Sequence, residues 1–203
     1  RYFNQHLATT VVNMGFKATI SDPCLFQTEV YGKKVLVMIY VDDILIACSD
    51  HNIIQRFKDK LKETYKIKDM GQLDWYLGMR FLRDLNSNVI TLNQTKYIED
   101  TVSKYTNWLG KRTHRDIPMQ ANLVLQKYTE AYRDNLTEKQ LYLLDNFPYR
   151  QIIGCLLYIS IWTRPDISFA IGKLCKFNKH PTLETIYATQ WLLQYIHGTK
   201  HLV

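Results

Sequence analysis

An α+β fold is predicted for this 203-residue chain by three observations. Two short apolar runs rich in β-branched residues, 35–41 and 44–48, are separated only by Asp42 and Asp43, which makes them an antiparallel hairpin. An amphipathic helical pattern follows at once, with Ile53, Ile54, Phe57, Leu61 and Tyr65 on one face. Residues 95–145 are more helical and more polar and further helices follow them, so strands and helices are segregated along the chain instead of alternating.

Taken in order, Phe3, Leu7, Val11 and Met14 recur at helical spacing before Gly15, and predict a first helix that packs on the sheet. Residues 24–30 and 35–41 are the next two strands, joined by the turn-like Tyr31-Gly-Lys-Lys34, which sets Asp42 at the end of a central strand. Ser49 or Asp50 can cap the following helix, whose other face, Arg56, Lys58, Asp59, Lys60, Lys62 and Glu63, reads as solvated. Two further strands, 75–82 and 88–92, flank the turn-rich Asp84-Leu-Asn-Ser-Asn88. Tyr97, Ile98, Val102 and Tyr105 form an amphipathic face, and residues 111–118 break the pattern as a loop. Helices are expected over 149–162, 166–178 and 183–197, the first two separated at Pro165, with Trp162, Tyr187, Trp191 and Tyr195 read as core aromatics.

Asp42 and Asp43 are the residues that demand a chemical reason. Ionised carboxylates inside an apolar setting cost several kcal/mol each or take up protons, so both must reach solvent or bind a cation. A tight connection at Asp42-Asp43 projects both from the sheet end, where hard oxygen ligands suit Mg²⁺. The plainer alternative is a pair of turn aspartates, since Asp is common in turns. Phosphoryl-accepting receiver domains also carry an aspartate pair after a strand. They alternate strand with helix, whereas here a second strand follows Asp43 directly.

Tyr40-Val-Asp-Asp43 resembles the Y-x-D-D box of reverse transcriptases, and its surroundings resemble the copia-type group of LTR retrotransposons. The resemblance runs along most of the chain in a shared order: Arg1-Tyr-Phe-Asn4, Gly15-Phe16 and Ser21-Asp-Pro-Cys-Leu-Phe26 before the box, Lys68-Asp-Met-Gly71 and Tyr76-Leu-Gly-Met79 after it. Tyr149-Arg-Gln-Ile-Ile-Gly-Cys-Leu-Leu-Tyr158, Thr163-Arg-Pro-Asp-Ile167 and Tyr195-Ile-His-Gly-Thr199 resemble the region joining polymerase to ribonuclease H. The resemblance implies a partial polymerase palm over 1–93, an antiparallel sheet with helices, then a helical thumb-like region over 94–147 and a helical connection over 148–203.

It further implies RNA-directed transfer of deoxynucleotides to a primer 3′-hydroxyl with two Mg²⁺ ions, Mn²⁺ being a substitute. Asp42 matches the principal metal-binding position and Asp43 the carboxylate beside it, while Tyr40 and Val41 flank the primer end or incoming sugar. Tyr76, Leu77, Gly78 and Met79 lie where the family grips the primer terminus, and a glycine there lets backbone approach a sugar-phosphate; a ligand-free hairpin glycine is the alternative. Lys68 is the candidate cation near the triphosphate, with Lys66 as the alternative. Lys111, Arg112, His114 and Arg115 form a basic cluster able to contact phosphates or simply to be solvated. The chain also departs from the family pattern: Phe3 replaces a usual tryptophan and Arg80 an often acidic residue. A third metal-binding aspartate belongs on a strand preceding Arg1, and Asp22, in a turn-forming Ser-Asp-Pro, does not supply it.

Composition agrees. The net charge of +7 and isoelectric point near 9.1 suit a polyanionic partner. Four cysteines without metal-type spacing read as free thiols, and no membrane-spanning run or secretory signal is visible, so a secreted or membrane protein is not expected. The partners implied are RNA template, DNA primer, deoxynucleoside triphosphates and the rest of a Pol polyprotein, including upstream palm and fingers and downstream ribonuclease H, in cytoplasmic virus-like particles and the nucleus. The fragment alone is expected not to polymerise, its sheet lacking strands and exposing an edge. The competing function is a non-catalytic retrotransposon relic or domesticated module that binds nucleic acid or protein.

Overall fold

Alternating apolar residues in the N-terminal third and helical periodicity in the C-terminal half give two compact units, Arg1–Gly71 and Gln72–Val203. The computed structural model describes residues 2–110 and 114–202. All strand pairing among the described residues is antiparallel, as the α+β reading expects.

The first unit opens with helix α1 (Tyr2–Asn13) and continues through strands β1 (Lys17–Ala18), β2 (Leu25–Val30), β3 (Lys33–Tyr40) and β4 (Asp43–Cys48) to helix α2 (His51–Thr64). The sheet order is β1-β2-β3-β4, so β3 is central and β4 an edge among the described residues. Period-two burial sends Val35, Val37 and Ile39 of β3 into the core with Leu7 and Val11 of α1 and Ile53, Phe57 and Leu61 of α2. Of the predicted α1 stripe, Leu7 and Val11 are buried, but Phe3 is half-exposed, meeting the Tyr65 ring edge to face. Asp50 is the α2 cap, its carboxylate accepting from the Asn52 amide at 2.9 Å. Tyr65, at the far end of α2, reaches back to α1 with its hydroxyl 2.8 Å from Thr10 Oγ1 and 2.5 Å from His6 Nδ1. The β2–β3 connection is tighter than the four-residue turn expected. Val30 pairs with Lys33 across a two-residue Tyr31-Gly32 turn with φ of 50° and 70°, the type I′ pattern.

The second unit begins with strands β5 (Trp75–Tyr76), β6 (Met79–Asp84) and β7 (Val89–Asn93), followed by helices α3 (Thr95–Lys104), α4 (Glu138–Asn146), α5 (Tyr149–Trp162), α6 (Ser168–Cys175) and α7 (Leu183–Gly198). The single strand expected over 75–82 is two strands, because Leu77 and Gly78 both take positive φ (51° and 75°) and reverse the chain. Helix α4 starts on a reciprocal cap between Thr137 and Gln140. The core is helical, built on Ile152, Leu156 and Ile159 of α5, Ile171 and Leu174 of α6, and Ile186, Leu192 and Leu193 of α7.

Between α5 and α6, at the Pro165 break, Arg164 is 2 % exposed, and all three of its side-chain nitrogens donate hydrogen bonds. Its guanidinium donates to both Asp166 oxygens (2.9 and 2.7 Å), to the Thr199 carbonyl (2.9 Å) and to Thr199 Oγ1 (2.7 Å), while the Tyr195 hydroxyl donates to Asp166 at 2.8 Å. The aromatics read as core divide. Tyr195 is buried and Trp191 partly so, but Trp162 and Tyr187 are about half exposed, because they fall on the outward sides of α5 and α7. No helix among the described residues is long and apolar enough to cross a membrane.

Candidate active site

The β3–β4 hairpin closes one residue earlier than its sequence suggests. Tyr40 pairs with Asp43, so the two-residue loop is Val41-Asp42, and Asp43 is the first residue of β4. Val41 has φ of 54°, a conformation that costs an L-residue about 1–2 kcal/mol and is least natural for a β-branched one. Positive φ at only the first loop position is the pattern of a type II′ turn, which ordinarily takes glycine there. The strain sits at the tip that carries Asp42, and Tyr40, Val41, Asp42 and Asp43 are all exposed.

The strand pleat decides where these side chains lie. Ile39, Ile44 and Ile46 belong to the core face with the helices, whereas Tyr40 and its partner Asp43 share the opposite face with the Met38–Leu45 and Leu36–Ala47 pairs. The hairpin thus presents two adjacent carboxylates in water at a strained tip, beside a half-exposed tyrosine and an apolar sheet surface. Their oxygens are the hard donors Mg²⁺ prefers, and Mg²⁺ is commonly held by one or two carboxylates with substrate phosphates and water completing the shell. Among the described residues, no group of three or more His, Cys, Asp or Glu converges to hold a metal ion. The pair fits the cation as part of a ligand set. Val41→Gly is expected to raise the stability of this unit by about 0.5–1 kcal/mol, the relieved strain exceeding the entropic cost of glycine. Chemical denaturation checks this.

Lys68 and Lys66 are exposed on the segment that follows α2. That segment is pinned by a contact the periodicity does not reveal: Lys58 Nζ lies 2.9 Å from Asp69 Oδ1, and the Gly71 amide donates to the same oxygen at 3.0 Å. The Lys58 hydrogen bond is the main reason the Asp69 carboxyl is held below its ordinary range. Lys58 is therefore committed to a structural pair, where a freely solvated lysine was expected.

In the second unit, Tyr76 pairs with Met79 across the Leu77-Gly78 turn, a type I′ geometry with both central φ positive. Met79 is buried at 1 % exposure, and Gly78 is exposed. Arg115 is drawn onto α7, its guanidinium 3.6 Å from the Trp191 ring centroid and its Nε donating to Gln194 Oε1 at 2.8 Å. Lys111 and Arg112 lie outside the described residues. A cavity of about 450 Å³ beside Arg115 is lined by Leu123, Glu184, Tyr187 and Trp191 among others.

Residues 1–121 match the family model described as Reverse transcriptase (RNA-dependent DNA polymerase). The chain is 31% identical over 186 residues to a retrovirus-related Pol polyprotein from transposon TNT 1-94 of Nicotiana tabacum, covering 89% of this chain and 13% of that protein. It is 31% identical over 195 residues to a retrovirus-related Pol polyprotein from transposon RE1 of Arabidopsis thaliana, covering 96% and 12%. A putative transposon Ty5-1 protein of Saccharomyces cerevisiae is 26% identical over 98% of the chain and 61% of its own length. The chain thus spans about an eighth of the two plant polyproteins. No solved structure matches.

Proposed function

The chain belongs to the reverse transcriptase (RNA-dependent DNA polymerase) family, and we propose that it is the part of a copia-type retrotransposon polymerase that carries the catalytic aspartate pair. In this reading the first unit and the β5–β7 sheet are palm, the region through α4 is thumb-like, and α5 to α7 lead toward ribonuclease H. The observation that carries it is the exposed, strained Tyr40-Val-Asp-Asp43 hairpin on a sheet backed by α1 and α2.

Asp42 and Asp43 would hold divalent magnesium, two ions in the complete enzyme. A cation held there would supply Lewis-acid chemistry, lowering the pKa of the primer hydroxyl and offsetting charge on the departing pyrophosphate. The protein's part is placement. The Val41-Asp42 turn projects one carboxylate from the sheet end and the strand register sets the other beside Tyr40. Tyr40 and Val41 bound the space for the incoming sugar or primer end, and Lys68 is the proposed cation toward the triphosphate. The Tyr76–Met79 turn is the proposed contact to the primer terminus. Because two carboxylates without a third fit only part of a catalytic set, the segment alone is proposed not to polymerise, further ligands coming from elsewhere in the parent.

The test is incorporation of dTTP on poly(rA)/oligo(dT) by the parent polymerase with Mg²⁺ and after chelation. Incorporation that chelation abolishes is expected; a folded parent that makes no DNA contradicts the reading. Binding of RNA–DNA hybrid to this basic chain should also weaken steeply with salt, by a log–log slope of about −0.9 for each phosphate neutralised. Salt-insensitive binding would count against phosphate contact.

A further inference from the structure

The Leu77-Gly78 turn is held from outside by two tyrosines that no motif of the polymerase box includes. Tyr158, on α5, donates its hydroxyl hydrogen bond to the Leu77 carbonyl. Tyr97, on α3, sets its ring against Gly78 so closely that a Cβ added there would stand 3.3 Å from the ring edge. The two rings meet edge to face, centroids 5.0 Å apart, and so form one surface under the turn. Next to it, Met79 is sealed in at 1 % exposure.

This arrangement has mechanical content. A non-glycine residue at φ of 51° is held only where its surroundings over-determine it, and Leu77 has its own carbonyl anchored and its neighbour Gly78 covered on one side by the Tyr97 ring. The anchors come from 20 and 81 residues further along the chain than Leu77, on helices of the main core, so the turn inherits the rigidity of α3 and α5. A two-residue turn on a short two-residue strand, β5, would otherwise be among the first parts of the unit to open.

We propose that Tyr158 and Tyr97 are positioning residues that fix the backbone of the Tyr76–Met79 turn for contact with a primer 3′ terminus. The proposal rests on the reading of that turn given under Proposed function. Tyr158 acts through its hydroxyl and Tyr97 through its ring, which separates them experimentally: Tyr158→Phe should loosen the turn and Tyr97→Phe should not.

Two measurements on the intact parent decide it. Hydrogen exchange at the Gly78 and Met79 amides should speed up about three- to tenfold in Tyr158→Phe, the scale of one lost hydrogen bond, and stay unchanged in Tyr97→Phe. Equilibrium binding, with no nucleotide present, compares an RNA–DNA hybrid bearing a recessed primer end with a blunt hybrid. Tyr158→Phe should weaken the recessed-end complex about three- to tenfold and leave the blunt complex as it was. Unchanged exchange overturns the anchoring, and equal losses on both hybrids overturn the positioning role in favour of general destabilisation. If the unsubstituted parent binds both hybrids equally, it is the primer-contact reading that fails, and the exchange result still decides whether the tyrosines anchor the turn.

Discussion

Asp42→Asn in the parent polymerase should lower single-turnover nucleotide incorporation by about 10³-fold or more, some 4 kcal/mol of barrier, while primer–template affinity changes little. The asparagine keeps the volume and one oxygen, so the Val41-Asp42 turn survives, but it removes the charge proposed to hold a divalent cation. Asp43→Asn should cost less, about 10- to 100-fold, as expected of a supporting carboxylate. The contrast is informative because the two residues differ in placement: Asp42 stands in the loop and Asp43 is paired with Tyr40 at the start of β4. Equal losses would mean that the register assigns no separate role to either. Incorporation that survives Asp42→Asn would remove the hairpin from the chemistry.

The second large effect is on stability. Asp166→Ala should destabilise the second unit by about 3 kcal/mol, roughly a 10 °C fall in Tm, because it leaves the Arg164 charge at 2 % exposure without its counter-ion, the Thr199 oxygens alone remaining as acceptors. Arg164→Met should cost less, since Asp166 is itself partly exposed and water can replace its lost partner. The pH dependence has a definite sign. Burial pushes the Asp166 carboxyl up, but hydrogen bonds from Arg164 and Tyr195 and the Arg164 charge outweigh it, so the group is held below its ordinary value. A depressed carboxyl stabilises the fold above the unfolded value of about 3.9 and loses that contribution as pH falls further. The stability gap between the unsubstituted protein and Asp166→Asn should therefore be constant from neutral pH to about 5 and shrink below about 4. Denaturant midpoints measured across that range test it.

Much of the first unit was legible because period-two and period-3.6 patterns are carried by neighbouring residues. Val35, Val37 and Ile39 alternate, and Ile53, Phe57 and Leu61 repeat as a helix should. The turns were less legible where local preference loses to pairing. Val41 and Leu77 take positive φ against their intrinsic tendencies, since the strands on either side fix the ends, so one hairpin closes a residue early and one apparent strand is two. Long-range side-chain pairs left no mark in any window. Lys58 with Asp69, Arg164 with Thr199 and Tyr158 with Leu77 are matched by folding, not by spacing, although the Arg-Pro-Asp run already placed a cation and a carboxylate two residues apart at a helix break. Aromatic identity was a poor guide to burial at Trp162 and Tyr187, because each lies on the outer side of a helix whose inner side is filled by aliphatic residues. The aspartate pair was conspicuous for the opposite reason: it interrupts an apolar run in which any neutral turn would have sufficed.

The most direct measurement is primer extension on poly(rA)/oligo(dT) with Mg²⁺, run side by side with residues 1–203, the parent polymerase and the parent carrying Asp42→Asn. DNA synthesis is expected from the unsubstituted parent only. Synthesis by residues 1–203 alone would contradict the claim that the hairpin carboxylates are part of a larger ligand set, and a folded parent without activity would contradict the assignment of the hairpin as a polymerase centre.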